Sequence, residues 1–310
     1  MRKFRLFNRL AMICGMLAGL AISARANIII TPTFDSTITN DPNAAAIIST
    51  INSAINFYET NITTPITVRI QYQEMSSGLG QSLTYYGTTT YATFLNALQA
   101  NSSGDAVDTS ALANLPSGSN NPVDGNPAMN VTTANMRALG LTSYSGIDGT
   151  ISVNTSITNY GGSYNSSFYS LLAVVEHEMD EVLGLMSNLD SSTTGPIFPE
   201  DLFRYSAPGL RSYTTDSTAT AYLSVDGGVT DVIGLNQTGG GADYGDWATS
   251  GTPHVQDVFG TPGSSPVFGT PERTALDAIG YNFATPEPAS FGLIALGVMG
   301  IVGLRRRSRA

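Results

Sequence analysis

The sequence predicts an α+β protein in which a mixed sheet packs on one central helix and a turn-rich C-terminal half follows. Two observations lead to this prediction. Segments with strand and helix periodicity follow one another between residues 28 and 157, just ahead of an apolar helix near residue 180. After that helix, Gly, Ser, Thr and Asn are abundant and the apolar runs are short. We therefore expect an N-terminal α/β half at 27–184 and a C-terminal half at 185–283.

Each element has its own local signal, because proline opens or ends elements and glycine closes helices. The predicted elements are, in chain order, a strand at 28–36, a helix after Pro42, a strand at Ile66–Tyr72, a helix at Tyr91–Leu98, a loop at 101–128, a helix at Thr132–Leu139 before Gly140, a strand at Asp148–Ile157, the central helix from a cap among Asn165, Ser166 and Ser167 to Gly184, a strand at Ala221–Val225, and a last helix at Thr270–Ile279 before Gly280.

The composition indicates a folded and strongly acidic protein. The chain has 310 residues, of which 42% are apolar and 12% charged, so it can bury a sizeable core. Of its 14 basic residues, five lie in 1–26 and four in 305–310; the remaining five face all 24 acidic residues, a net charge of −19 in that middle region. Such a surface repels nucleic acid and attracts cations, so we expect no DNA or RNA partner.

The N-terminal segment has the three parts of a signal peptide. Basic residues precede the apolar run Leu10–Ile22, and Ala24-Arg25-Ala26 forms an Ala-x-Ala cleavage site. We expect signal peptidase to remove residues 1–26, so that the mature chain begins at Asn27. The single cysteine, Cys14, lies in this segment, so the body can form no disulfide. The sequence therefore predicts export.

The most specific motif in the body is His177-Glu178-x-x-Glu181, which differs by one ligand from the His-Glu-x-x-His motif of zinc peptidases. On a helix, His177 and Glu181 are one turn apart on the same face, so both can reach one ion. Glu178 is turned by about 100° around the axis. It would therefore lie beside the ion, where a general base for the attacking water belongs.

A solvated acidic face is the alternative interpretation of the same helix, formed by Glu176, Glu178, Asp180 and Glu181. The strongly apolar surroundings argue against it, because a solvated face has less reason to lie inside an apolar helix. The chain also has only two histidines, His177 and His254, and one of them lies in the motif.

The C-terminal tail, 284–310, carries a second specific signal. Pro286-Glu287-Pro288 precedes the apolar run Ala289–Leu304, and four arginines follow. This run is shorter than the roughly 20 residues of a full membrane span. Together these features resemble the PEP-CTERM sorting signal, and an ordinary tail anchor is the alternative. The resemblance implies a membrane segment at 289–304, cleavage by an exosortase, and a place in the envelope, outer surface or extracellular matrix of a Gram-negative bacterium.

The body resembles a family of PEP-CTERM-anchored metalloproteases with a metzincin-like (zincin) core. The resemblance is carried by His177–Gly184, Asp201–Gly209, Gly245–Trp247, Gln256–Gly260 and Ala275–Tyr281. It implies a zincin-like domain at 27–283, a zinc ion, and a peptide or protein substrate.

The chain departs from the metzincin pattern at three positions. Glu181 stands where the second histidine belongs, and Ser187 occupies the position of the third ligand. No methionine lies between Met186 and Met299, so the usual Met-turn is absent. Arg204–Gly209 is the candidate to replace it as the floor of the site.

The ligand set from the motif is incomplete, because a catalytic zinc takes three protein ligands and keeps one open position. Asp201, Asp190 and His254 are the candidates for the third. We favour Asp201, which lies in a family-like segment, although it could equally cap a helix or pair with Arg204. Tyr205 is a candidate hydrogen-bond donor to the oxyanion of a tetrahedral intermediate, or else a buried core residue.

The segment Gly239–Trp247 combines flexible glycines with Asp243 and Asp246. A calcium loop is one interpretation of this pattern, but a complete set of calcium ligands is missing. We therefore favour a plain turn here, with calcium as the alternative cation.

Two hypotheses for the function follow. The first is an exported zinc-dependent endopeptidase in which Glu178 accepts the proton of the attacking water. The second is a non-catalytic envelope or matrix protein that keeps the fold and a cation site. The position of Glu178 beside His177 favours the first, whereas Glu181 and the Ser/Thr/Asn-rich composition favour the second.

Overall fold

A four-stranded mixed sheet lies at the centre of the structure, a computed structural model that describes residues 27–161, 164–190, 195–239, 242–249 and 251–284. The helices in these residues are α1 Ser36–Thr39, α2 Ala44–Asn61, α3 Tyr91–Asn101, α4 Ala106–Ala113, α5 Thr133–Ala138, α6 Leu171–Leu183 and α7 Thr270–Ala278. The strands are β1 Ile29–Phe34, β2 Thr67–Glu74, β3 Gly80–Thr84, β4 Tyr86–Thr90, β5 Ala128–Thr132, β6 Gly149–Val153, β7 Thr158–Asn159, β8 Tyr169–Ser170, β9 Arg204–Ala207, β10 Leu210–Arg211, β11 Tyr222–Leu223 and β12 Ile233–Gly234. The predicted α+β class is confirmed.

The strand order of the central sheet is β1-β2-β6-β3. The first three strands are parallel, whereas β3 pairs with β6 in the antiparallel sense and forms one edge. Parallel neighbours need a crossover connection, and α2 supplies it between β1 and β2. In β2, Val68, Ile70 and Tyr72 alternate with partly exposed residues, so one face of this strand is turned to the core.

The central helix, α6, packs against β3 and β6 of the sheet and against α2. It ends at Gly184, as predicted, with a φ of +130° that favours glycine. Its start differs from the prediction. The backbone is still extended at β8, which pairs with β7, and Ser170 is the residue whose hydroxyl accepts a hydrogen bond from the amide of Ala173 at 3.3 Å. The predicted cap among 165–167 is therefore wrong.

The region 101–128 is not the unbroken loop that its composition predicts. It contains α4, whose first turn is capped by Asp105, because the Asp105 carboxylate accepts the amide of Asp108 at 3.0 Å. Two strands in polar, threonine-containing segments, β3 and β4, also lie outside the predicted elements. They are stabilised by pairing with β6 and β5, which are distant in sequence.

One hydrophobic core joins the two predicted halves. It begins at Ile28, ends at Phe283, and includes Leu202, Leu223 and Trp247 from the turn-rich half. A second sheet, of order β10-β9-β11-β12, belongs to that half. The turn-rich half is therefore packed against the α/β half, and loops of the one can supply residues to a site on a helix of the other.

The predicted signal peptide, 1–26, and the predicted membrane segment, 289–304, lie outside the described residues. Within the described part of the chain, no helix has the length and apolar character that crossing a bilayer requires.

Candidate metal centre and catalytic cleft

His177 and Glu181 of α6 meet a third side chain, Asp246, from a loop of the turn-rich half. The Nε2 atom of His177 lies 3.6 Å from Glu181 Oε1 and 3.6 Å from Asp246 Oδ1. One ligand atom from each of the three residues lies within 4.8 Å of the other two. Asp246, which the sequence singles out only as part of a candidate calcium loop, is thus the third candidate ligand beside the motif.

The spacing of these atoms fits a tetrahedral metal site. Ligand atoms about 2.1 Å from a tetrahedral ion are separated by about 3.4 Å. The two measured separations of 3.6 Å from His177 Nε2 are close to that value. One imidazole nitrogen and two carboxylate oxygens form a donor set that zinc accepts, and three protein ligands leave one position open.

The imidazole of His177 is oriented from its far side. Its Nδ1 atom lies 3.0 Å from the carbonyl oxygen of Val255. Since a carbonyl can only accept, Nδ1 is the donor, and Nε2 faces the two carboxylates. Burial alone would lower the pKa of His177, but Asp246 and the nearby glutamates outweigh it and raise that pKa well above its ordinary value. The cluster therefore attracts positive charge strongly.

Glu181 is held by the edge strand of the central sheet. The hydroxyl of Ser82, in β3, donates to Glu181 Oε2 at 2.5 Å, which leaves Oε1 on the side of His177. Burial would raise the pKa of Glu181, but the hydrogen bond and charge of His177, with the Ser82 hydroxyl, outweigh it and lower that pKa. Glu181 is thus ready to act as an anionic ligand.

The loop that carries Asp246 is fixed on both sides by backbone hydrogen bonds. The amide of Asn236 donates to the Asp246 carbonyl at 2.8 Å, and the amide of Trp247 donates to the Gln256 carbonyl at 2.7 Å. The indole of Trp247 is fully buried and donates to Glu272 Oε1 at 3.2 Å. The adjacent Asp246 backbone is therefore held from both directions.

Arg204 also stabilises the loop that carries Asp246. Its buried guanidinium donates to the carbonyl of Tyr244 at 2.5 Å, to the carbonyl of Asn236 at 2.8 Å, and to Gln237 Oε1 at 2.7 Å. These contacts join β9, the strand after the 3₁₀ turn at Pro199–Phe203, to the segment that leads to Asp246. Arg204 thus occupies the supporting position that the sequence assigns to Arg204–Gly209.

Glu178 lies beside the ligand cluster and lines the same cavity. It is buried, and its Oε2 atom has no hydrogen-bond partner. Burial, and then the charge of Glu181, raise the pKa of Glu178 well above its ordinary value. Gly80 in β3 makes room for this carboxylate, because a Cβ at that position would overlap Glu178 Oε1.

The acidic residues of α6 do not form a solvated face. Glu176, Glu178 and Asp180 are only 4%, 5% and 0% exposed. Asp180 instead accepts a hydrogen bond from the Tyr58 hydroxyl at 2.7 Å, on the side of α2. The alternative interpretation of the helix is wrong, because its carboxylates are turned into the protein.

An open cavity of about 730 Å³ gives access to the cluster. One wall is the edge strand β3 with the preceding Ser77–Leu79, and the opposite wall comes from the C-terminal half. His177, Glu178, Glu181 and Asp246 all line it. The cavity thus brings solvent and the cluster together next to an unpaired sheet edge.

The structure places the other candidate residues elsewhere. Asp201 is buried, and its carboxylate accepts hydrogen bonds from the Ser187 hydroxyl at 2.6 Å, the Phe198 amide at 3.0 Å and the Asn188 amide at 3.3 Å. Asp201 caps the turn before Arg204 and is not brought to His177, and neither is Asp190. His254 lines the cavity without joining the ligand cluster.

Tyr205 does not line the cavity. It is a buried residue of β9, and its ring lies 4.8 Å beneath the guanidinium of Arg211. This environment corresponds to the core-residue interpretation of Tyr205, and places its hydroxyl away from the cluster.

Three site residues were missed from the sequence. Asp246 lies in a segment that had been singled out for its carboxylates, and its place beside a family-like Trp247 was the available signal. Ser82 and Val255 gave no signal, since one is a serine in a polar strand and the other acts through its backbone carbonyl.

The PEP-CTERM protein-sorting motif matches residues 284–307. This confirms the sorting signal predicted from Pro286-Glu287-Pro288. The motif marks an exported protein that is sorted to the cell envelope of a Gram-negative bacterium, processed by an exosortase and associated with the membrane through its C terminus.

No curated protein and no solved structure matches the chain. The comparisons do not support the predicted metalloprotease family, so an activity has to be argued from the geometry of the site.

Proposed function

We propose that this envelope-sorted protein is a zinc-dependent endopeptidase whose metal ligands are His177, Glu181 and Asp246. The observation that carries the proposal is the convergence of these three donors, with His177 Nε2 at 3.6 Å from each carboxylate, beside the buried carboxylate of Glu178. The mixed sheet packed on the motif helix supports a zincin-like fold, because this is the layout that the resemblance implies.

Zinc bound by these residues would polarise the scissile carbonyl and lower the pKa of the attacking water. Glu178 would accept the proton of that water and pass it to the leaving amine. A cation at the cluster favours the ionised form of Glu178, because an opposite charge within about 4–6 Å lowers the pKa of a carboxyl. The absence of a side chain at Gly80 would leave room for the Glu178 carboxylate in this position.

The shape of the cleft favours an extended peptide as substrate. β3 is an edge strand, and Gly80, Gln81 and Ser82 line the cavity. A peptide can add to such an edge by backbone hydrogen bonds, with alternate side chains directed into the cavity. This would lay the scissile bond across His177 and Glu178.

Two variants of α6 test the proposal. Glu178→Gln keeps the size of the side chain but cannot accept a proton, so peptidase activity should fall by roughly two to four orders of magnitude while zinc is retained. Glu176→Gln is the matched control, since Glu176 is a buried glutamate of the same helix that does not line the cavity. Loss of zinc from Glu178→Gln would contradict the assigned roles.

A non-catalytic envelope protein with a cation site is the second candidate function. The observation that favours it is Glu181, a carboxylate in place of the second histidine of zinc peptidases. A wild-type protein that retains zinc but cleaves nothing in a broad peptide library would establish this alternative.

A further inference from the structure

A second acidic cluster lies where α4 meets α7. Asp105, Asp108 and Asp277 each bring one carboxylate oxygen within 4.8 Å of the other two. Asp108 and Asp277 are buried, Asp105 is half-buried, and none of the three lines the cavity of the metal centre. Three carboxylates at this distance repel one another unless something neutralises them.

Asp277, one of the three carboxylates, has a buried oxygen that the described part of the chain does not satisfy. Its side chain is 3% exposed, and its buried Oδ1 atom has no hydrogen-bond partner. Leaving a buried polar atom unpaired is costly, and more so for a charged group. The carboxylate of Asp277 therefore requires a partner from outside the protein or a proton.

The other two carboxylates are already fixed in position. Asp108 Oδ2 accepts the amide and the hydroxyl of Ser103, at 2.6 Å and 2.8 Å, and the amide of Gly104 at 3.3 Å. Asp105 Oδ1 caps α4 by accepting the amide of Asp108 at 3.0 Å. The cap and the first turn of α4 thus present two fixed carboxylates to the end of α7.

In the described part of the chain, the charge of Arg273 offsets this repulsion only in part, because it lowers the pKa of Asp277 less than burial and the other two carboxylates raise it. None of the basic side chains in that part comes within ion-pair distance of these three carboxylates. The nearby Arg273 donates instead to the Ala284 carbonyl at 3.0 Å and lies 4.9 Å over the ring of Phe283. Burial, and then the charges of Asp105 and Asp108, raise the pKa of Asp277 to about 8.

We propose that Asp105, Asp108 and Asp277 bind one calcium ion that links α4 to α7. All the donors are oxygens, which hard cations prefer, and two oxygens on opposite sides of a calcium ion are about 4.8 Å apart. Water would complete the coordination of 6–8 oxygens. The ion would fasten the polar segment 101–128 to the last helix, in an exported protein that meets calcium outside the cell.

The proposal is tested with the full chain, purified in mild detergent and stripped of metal with a chelator. A His177→Ala background removes the metal centre, so that the remaining calcium response comes from elsewhere. Calorimetric titration should give about one calcium per chain, with a Kd of roughly 10⁻⁴–10⁻³ M. The Tm should rise by about 3 °C in excess calcium.

Asp277→Asn and Asp105→Asn should each abolish both responses. Asparagine caps helices as well as aspartate does, so Asp105→Asn should keep α4 intact. If Asp277→Asn fails to fold, Asp105→Asn alone therefore tests whether the cluster binds calcium. Asp124→Asn, in the same polar segment but outside the cluster, should respond as its parent does. An unchanged calcium response in Asp105→Asn would overturn the proposal. The proposal would also be overturned if the parent protein showed neither calcium binding nor a rise in Tm, since a shared proton would then neutralise the cluster.

Discussion

The Nδ1 atom of His177 lies 3.0 Å from the carbonyl oxygen of Val255, 78 residues further along the chain. This hydrogen bond orients the imidazole from its far side, and such an arrangement raises the basicity of histidine ligands in metal sites. The same half of the chain also supplies Asp246. The turn-rich half therefore supplies one residue of the proposed ligand set and orients another, His177, on the central helix.

Gly80→Ala should reduce activity without removing metal. The new Cβ would overlap Glu178 Oε1 and lie 2.7 Å from Val174 Cγ1, so the Glu178 carboxylate has to move. A displacement of about 1 Å can reduce the rate by roughly 100-fold. The measurement is kcat/KM together with zinc content. Leu83→Ala, at an exposed position of β3 that does not line the cavity, is the control, and equal losses in both variants would argue against a role for Gly80 in placing Glu178.

Ser82→Ala should weaken zinc binding. The Ser82 hydroxyl donates to Glu181 Oε2 at 2.5 Å, and loss of such a partner behind a ligand typically costs about 10–100-fold in affinity. A competition titration against a chelator of known affinity measures the change. Ser77→Ala, at an exposed position that lines the same cavity, should bind zinc as the wild type does.

Arg204→Lys should lower both stability and zinc affinity. Lysine cannot reproduce the planar contacts to Tyr244, Asn236 and Gln237, and the free energy of unfolding should fall by about 3 kcal/mol. Denaturant unfolding and a zinc titration measure the two effects.

Arg211→Lys is the control for Arg204→Lys. Arg211 also donates to backbone carbonyls, those of Leu202 and Asn114, both at 2.9 Å, but it does not contact the loop of Asp246. It should therefore lose stability and keep its zinc affinity. If both variants lost zinc equally, Arg204 would have no special role in placing Asp246.

Deletion of residues 286–310 should release the protein into the medium, because the tail carries the matched sorting motif. Replacing Pro286 and Pro288 by alanine should keep the apolar run but prevent processing. Cell fractionation measures where the protein is located, and the mass of the product shows whether the tail has been processed. Unchanged retention of the truncated protein would contradict sorting through this tail.

Features of the site that depend on local spacing could be predicted from the sequence. The helical period around His177 gives the position of Glu178, and Gly184 ends the helix as predicted. The shared face of His177 and Glu181 follows from the same period, because neighbours on a helix surface are three or four residues apart.

The third ligand could not be derived in the same way. Asp201 and Asp246 are both carboxylates in family-like segments, and only tertiary packing distinguishes them. Asp201 is taken up by Ser187 and two amides, whereas Asp246 is placed by Asn236 and Arg204. The helix α4 was also missed, because its capping residue Asp105 lies in a segment whose composition is otherwise typical of loops.

Zinc content of the purified protein, measured by elemental analysis in the wild type and in Asp246→Asn, tests the proposed ligand set most directly. Asp243→Asn is the matched control, since Asp243 lies in the same loop and lines the cavity but is outside the cluster. We expect about one zinc per chain in the wild type and in Asp243→Asn, and almost none in Asp246→Asn. Full zinc content in Asp246→Asn, or a wild type that binds no zinc, would contradict the proposed centre.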